Sequence, residues 1–166
     1  VLRKCSDIGM KPFVFGNGSN LLISDDGINN RPVIHIHKGF DFIRELDENT
    51  LEIGAGANLT TVCKYALSKN LSGLEFAYGI PGSCGGAAFM NAGAYGGEMK
   101  DVLTECSHID KNGNKGSFKD DELDLSYRHS AYSGSDLIIT GLTLKLKKGD
   151  KAEIESKMNE LMGKRK

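Results

Sequence analysis

Apolar and polar positions fall into two rhythms along the 166 residues. Val1, Leu2, Cys5 and Ile8 keep a helical spacing that stops at Gly9. "KPFVF" (11–15) reads as a short buried strand and "PVIHIH" (32–37) as the next. Phe40 and Phe42, a polar "DENT", then Leu51 and Ile53 predict a hairpin ending at Gly54. Leu59, Val62, Cys63, Ala66 and Leu67 recur at i, i+3, i+4, i+7 and i+8, which predicts a helix with Asn58 as its cap and Asn70 beyond its end. Asn112-Gly113 marks a second hairpin. Leu142, Leu144 and Leu146 alternate with Thr143, Lys145 and Lys147, the pattern of a strand with one wet face. Asp150 and Glu153 resemble a capping box opening a last helix to Leu161, whose stripe of Ile154, Met158, Leu161 and Met162 must bury against something. With many strands and few helices, the expected class is α+β rather than a repeating βαβ unit.

Two segments follow neither rhythm. "GNGSN" (16–20) sets two glycines around an asparagine straight after a strand, so its backbone can reach positive φ and aim successive N–H groups at one point. Ser19 and Asn20 add side-chain donors. An ordinary tight turn would have the same composition. The dinucleotide pattern G-x-G-x-x-G does not fit, because Leu21 stands where its third glycine belongs, and no phosphate loop of the G-x-x-x-x-G-K-[ST] kind occurs. The longer segment, "GIPGSCGGAAFMNAGAYGG" (79–97), holds seven glycines and four alanines. Glycine costs about 0.5–1 kcal/mol against alanine inside regular structure. Its density points either to backbone packed on backbone or to main-chain amides that bind a ligand, and a diphosphate joined to planar rings would suit the second case.

Composition narrows the partners. Lys and Arg number 21 against 22 Asp and Glu, a net charge of −1, so no electrostatic case exists for nucleic acid or an anionic membrane. No run approaches the roughly 20 apolar residues of a membrane helix, and no secretory signal opens the chain, which leaves a cytoplasmic protein as the expectation. Cys5, Cys63, Cys84 and Cys106 are too scattered for a zinc or redox motif and read as buried thiols. His35 and His37 would share a strand face but lack a third ligand nearby, so no metal is expected. The chain opens on Val1 within a helical pattern and closes directly after another, as a piece of a longer protein would.

"GNGSNLLISDDG" (16–27), "GAGANL" (54–59), "GLEFAYGIPGSCGGAAFMNAGAYGGE" (73–98) and "LSYRHS" (125–130) resemble, in order, motifs of the bacterial UDP-N-acetylenolpyruvoylglucosamine reductase family. The resemblance implies the FAD-binding domain of the vanillyl-alcohol-oxidase (PCMH) type, built of two α+β subdomains. The implied division is 1–58, 59–148, and a helix over 149–166 that leads to a substrate domain not contained in these residues. FAD would be the cofactor and NADPH its reductant. Gly16, Asn17, Gly18, Ser19, Asn20 and Leu21 would hold the FAD diphosphate. Gly79, Pro81, Gly82, Ser83, Gly85, Gly86 and Ala87 would lie along diphosphate and flavin, and Asn91, Gly93 and Ala94 near the isoalloxazine. Ile139 would reach the cofactor through its backbone, and Tyr95 and Tyr127 the substrate.

The implied reaction delivers hydride to the enolpyruvyl group of UDP-N-acetylglucosamine enolpyruvate, a small-molecule substrate, and spreads negative charge onto its carboxylate. Arg128 is permanently cationic and forks two donors, so it is the implied catalytic group, binding the substrate as well. The family draws its proton from a serine supported by a glutamate in the domain that follows, so these 166 residues by themselves are expected to be inactive. Two other readings stay open: a flavin oxidase of the same fold, and a nucleotide-binding module without chemistry.

Overall fold

Strand alternation places the sheet that organises the fold. The computed structural model describes residues 1–165. A short helix α1 (Leu2–Asp7) precedes a parallel pair, β1 (Phe13–Phe15) and β2 (Val33–His35). The hairpin β3 (Ile43–Glu45) and β4 (Thr50–Gly54) follows, then helix α2 (Leu59–Ser68) and a short strand β5 (Leu71–Ser72). Helix α3 (Cys84–Phe89) and the two-residue strands β6 (Gly93–Ala94) and β7 (Gly97–Glu98) fill the glycine-rich segment. The chain ends with β8 (Leu103–Ile109), β9 (Lys115–Lys119), β10 (Ile138–Lys145), β11 (Lys147–Lys148) and helix α4 (Lys151–Gly163).

Five of these strands form an antiparallel sheet in the order β3-β4-β10-β8-β9. Leu142 of β10 faces Ile53 of β4 and Cys106 of β8, while Leu144 faces Leu51 and Leu103; all are buried. Burying each such side chain is worth roughly 1.5–3 kcal/mol. The second strand of the predicted hairpin and the leucine alternation are thus at the centre of the core, while β3 is an edge of the sheet. The hairpin 43–54 hydrogen-bonds to β10, so it shares a sheet with residues 103–145 although it precedes residue 58; by sheet membership the first unit is the β1–β2 pair. The architecture is α+β, as expected.

Local signals fare well where side chains close their own hydrogen bonds. Asn58 caps α2 by accepting from the Thr61 amide at 3.1 Å, and Asp150 caps α4 through the Ala152 and Glu153 amides at 2.8 and 3.0 Å. The stripe of α4 buries Ile154, Met158 and Leu161 against α2 and residues 75–77, while Met162, expected with them, stays exposed. The β8–β9 hairpin is real, but its turn is not the two-residue kind that Asn-Gly favours. Asp110 accepts from the Asn112 and Asn114 amides and only Gly113 takes positive φ (81°), giving a longer loop. The cysteines are free and buried, and burial pushes the Cys63 and Cys106 thiols up to about 12.

His108 of β8 is buried with its Nδ1 at 2.9 Å from the Tyr132 hydroxyl. That hydroxyl donates to the Cys106 carbonyl at 3.1 Å, so the imidazole must supply the proton between the pair. Burial favours the neutral ring and lowers its pKa. An unfolded histidine takes up a proton at about pH 6.5. The folded ring does so only at lower pH, so its contribution is present above that value and is lost as pH falls below it. His108→Gln should therefore flatten the drop in urea stability between about pH 7 and pH 5.5. A variant that keeps the full wild-type slope would show that other groups cause it.

Candidate functional site

The two glycine-rich segments meet, although 62 positions separate the residues that join them: the Ser19 hydroxyl donates to the Pro81 carbonyl at 2.9 Å. Gly16 lies so close to Ser83 that a Cβ on it would come within 2.1 Å of the Ser83 Oγ. Ser83 in turn caps α3, its Oγ accepting from the Gly86 amide at 3.3 Å. The second loop is sewn to the 54–59 turn by bonds from Leu59 N to Gly82 O, Cys84 N to Ala57 O and Gly85 N to Ala55 O. Among the described residues, the amides of Gly16 through Asn20, Gly82 and Ser83 donate to no protein group. They form a row of uncommitted donors on neighbouring loops, the arrangement that suits an anion.

These loops form one wall of a cleft of about 1020 Å³, at the upper end of the range for cofactor sites. Gly16 to Leu21, Pro81 to Ser83, Gly85 to Ala87, Arg128 and Ile139 all line it. A bulge between Ile139 and Gly141 breaks the alternation of β10 and leaves both Ile138 and Ile139 buried on the cleft. Gly85 also serves packing, since a Cβ there would stand 2.8 Å from the Ala55 methyl carbon.

The remaining expected residues lie off the cleft. Gly79 (φ 87°) sits under α4, where a Cβ would come within 2.5 Å of the Met162 sulfur. Gly93 and Ala94 form the small β6–β7 hairpin, and a Cβ on Gly93 would meet the Gly97 carbonyl at 2.8 Å. Tyr95 and Gly96 turn that hairpin with φ of 55° and 84°, the type I′ signature, and the Arg165 guanidinium lies over the Tyr95 ring at 5.0 Å. Asn91 is buried with its amide turned into the protein. Tyr127 is 91% exposed. Both explanations for glycine therefore operate: Gly82 and Gly86 bare the cleft wall, Gly79, Gly93 and Gly97 permit close packing, and Gly16 does both, lining the cleft while packing on Ser83.

Arg128 sits third in the turn Ser126–His129, which is closed by reciprocal backbone bonds between its ends. Its φ is 55°, a conformation that non-glycine residues adopt at a cost of about 1–2 kcal/mol. Its Nη1 points to the Met90 sulfur at 3.8 Å, a weak acceptor, and among the described residues no carboxylate pairs with it. Arg31 and Lys111 line the cleft too, and Asp136, the acid on its wall, is bound to Lys11, itself on the wall. Basic groups thus outnumber acidic ones around this space, an excess that a net charge of −1 conceals. Sequence reading missed Arg31 and Lys111 for that reason.

His35 and His37 stack at 5.1 Å between ring centroids on the outer side of β2, and among the described residues no three metal-ligating side chains gather. No described helix is long and apolar enough to cross a membrane.

Known proteins match along the whole length. UDP-N-acetylenolpyruvoylglucosamine reductase of Agathobacter rectalis is 46% identical over 163 residues, covering 92% of this chain and 52% of the relative. The enzyme of the same name from Heliobacterium modesticaldum is 39% identical over 160 residues, covering 96% and 50%. The crystal structure of UDP-N-acetylenolpyruvylglucosamine reductase from Thermus caldophilus superposes with a TM-score of 0.82 at 35% identity, over 99% of this chain and 58% of that one. 6-Hydroxy-D-nicotine oxidase of Arthrobacter nicotinovorans, 21% identical with a TM-score of 0.66, covers 89% of this chain and 33% of its own and shares the fold. The chain spans about half the length of the curated relatives it matches. A family model described as an FAD binding domain matches residues 1–115, more than half of the sequence and the stretch that contains both glycine-rich loops, and the chain therefore belongs to the FAD-binding-domain family.

Proposed function

We propose that this chain is the cofactor-holding part of a cytoplasmic, NADPH-dependent reductase that converts UDP-N-acetylglucosamine enolpyruvate to UDP-N-acetylmuramate for peptidoglycan synthesis. The observation that carries the reading is the Arg128 guanidinium, held at positive φ on the cleft wall with no acidic partner among the described residues, beside loops whose amides are uncommitted. The residues present fit FAD: Gly16 to Asn20, Gly82 and Ser83 would hold the diphosphate, and the apolar wall of Ile80, Ala87, Ile138 and Ile139 would take planar rings. When bound, FAD would pass hydride from NADPH to the enolpyruvyl carbon. Arg128 would fork two donors to the substrate carboxylate and hold the charge that gathers there. Tyr127, almost wholly exposed, and Tyr95, half exposed, are free to contact the outer parts of the sugar nucleotide.

The test uses the protein at the full length of its relatives. As purified it should show flavin absorbance that bleaches under NADPH and returns on adding UDP-N-acetylglucosamine enolpyruvate. Return with dioxygen alone would make the protein an oxidase instead, and absence of flavin would remove the reading.

A further inference from the structure

Asn91 ends the glycine-rich helix in a way that leaves nothing of its side chain for a ligand. Its φ is 41°, which asparagine tolerates better than most residues, and it is 3% exposed. Nδ2 donates to Glu98 Oε2 at 2.6 Å and to the Ser126 carbonyl at 3.1 Å, while Oδ1 accepts from the Lys100 amide at 2.9 Å. Both amide protons and the oxygen are therefore committed. The Lys100 ammonium, with Asn91, holds the Glu98 carboxyl below the usual range, so the short bond to Glu98 is charge-assisted and directional.

The Ser126 carbonyl belongs to the first residue of the turn that carries Arg128. On the other side of that turn Ser130, fully buried, donates its hydroxyl to the Phe89 carbonyl at 2.5 Å and accepts from the Tyr132 amide. The turn is thus pinned to the end of α3 two residues before Arg128 and two residues after it, with the Met90 sulfur against the guanidinium between the pins. A left-handed arginine would relax unless its neighbours were held.

We propose that Asn91 is a positioning residue for Arg128: it ties the guanidinium-bearing turn to the helix on the cleft wall, so the cation stands at a set place when the substrate carboxylate arrives. This rests on the reading of Arg128 given above. The alternative is an amide that only stabilises the fold, and coupling between the two residues separates them.

The experiment takes the full-length protein as wild type, Asn91→Ala, Arg128→Ala and the double variant. Flavin reoxidation by UDP-N-acetylglucosamine enolpyruvate and flavin reduction by NADPH are followed by stopped flow. Calorimetry gives the affinity for UDP-N-acetylmuramate, and the absorbance gives flavin content. Asn91→Ala should slow reoxidation about 10- to 100-fold, as displacements near 1 Å do. It should weaken product binding and leave flavin content and NADPH reduction within about twofold. In the Arg128→Ala background it should slow reoxidation no further. Equal slowing of both half-reactions, or an effect that adds in full to that of Arg128→Ala, overturns the proposal. If Arg128→Ala alone changes nothing, the functional reading fails with it, and that outcome is distinct from simple additivity. Asn91→Asp, isosteric and tolerant of positive φ, runs the same cycle if the alanine variant loses flavin. Loss of flavin from both makes Asn91 a folding residue and also overturns the proposal.

Discussion

Arg128→Ala in the full-length protein should slow flavin reoxidation by the enolpyruvyl sugar nucleotide about 100- to 1,000-fold while reduction by NADPH stays within a few-fold. The size follows from removing one preorganised donor at the place where charge develops, typically about 3–4 kcal/mol of barrier. Geometry separates this from a stability effect. Alanine has a Cβ like arginine, so the φ of 55° is equally unfavourable for both and the turn gains or loses little. Glycine has no such cost, so Arg128→Gly should unfold at a higher urea concentration than Arg128→Ala yet be as slow. Arg128→Lys should recover only part of the rate, because an ammonium cannot present two parallel donors to a carboxylate. Stopped-flow traces of the two half-reactions decide the matter, and equal slowing of both would remove Arg128 from the substrate side.

Gly54→Ala should destabilise the chain by about 3 kcal/mol or more without touching the cleft. Gly54 closes β4, and a Cβ there would lie 2.1 Å from the Phe40 carbonyl oxygen and 2.5 Å from its carbon. Those are backbone atoms and cannot rotate aside. The same carbonyl accepts from the Gly56 amide at 2.7 Å, and Gly54 itself donates to Phe42 O at 2.9 Å. Moving the 40–42 stretch away would break both bonds and pull the edge of the sheet off β4. Equilibrium urea unfolding measures the loss, and a change under about 1 kcal/mol would mean that this crossing is looser than its distances indicate. Gly16→Ala is the useful contrast, because its clash is with the Ser83 hydroxyl, the end of a side chain that can turn.

The elements legible in the sequence are those whose evidence is local. The α2 spacing with Asn58 at its start, the leucines of β10 and the Asp150 cap of α4 each need only neighbours within a few residues, and each stands where expected. Helix α3 was not legible. It is six residues long with two glycines, which cost about 1 kcal/mol each in a helix. It forms because Ser83 caps it and Ala87 and Ala88 pack beneath it, with β10 and β4 as its neighbours. The resemblance puts Asn91 near the cofactor, yet its amide faces inward, because its partners are seven, nine and thirty-five positions away.

The sequence by itself determined the fold class, the antiparallel core and the presence of two glycine-rich bends, since periodicity and side-chain size act over short spans of chain. Only the tertiary structure decided that the bends touch, that basic side chains from distant segments share one wall, and which glycines bare that wall rather than fill a crossing. The reason is that a glycine in the sequence states only what is missing. What occupies the space beside it, Ser83 Oγ at Gly16 or the Gly97 carbonyl at Gly93, is set by the path of the rest of the chain.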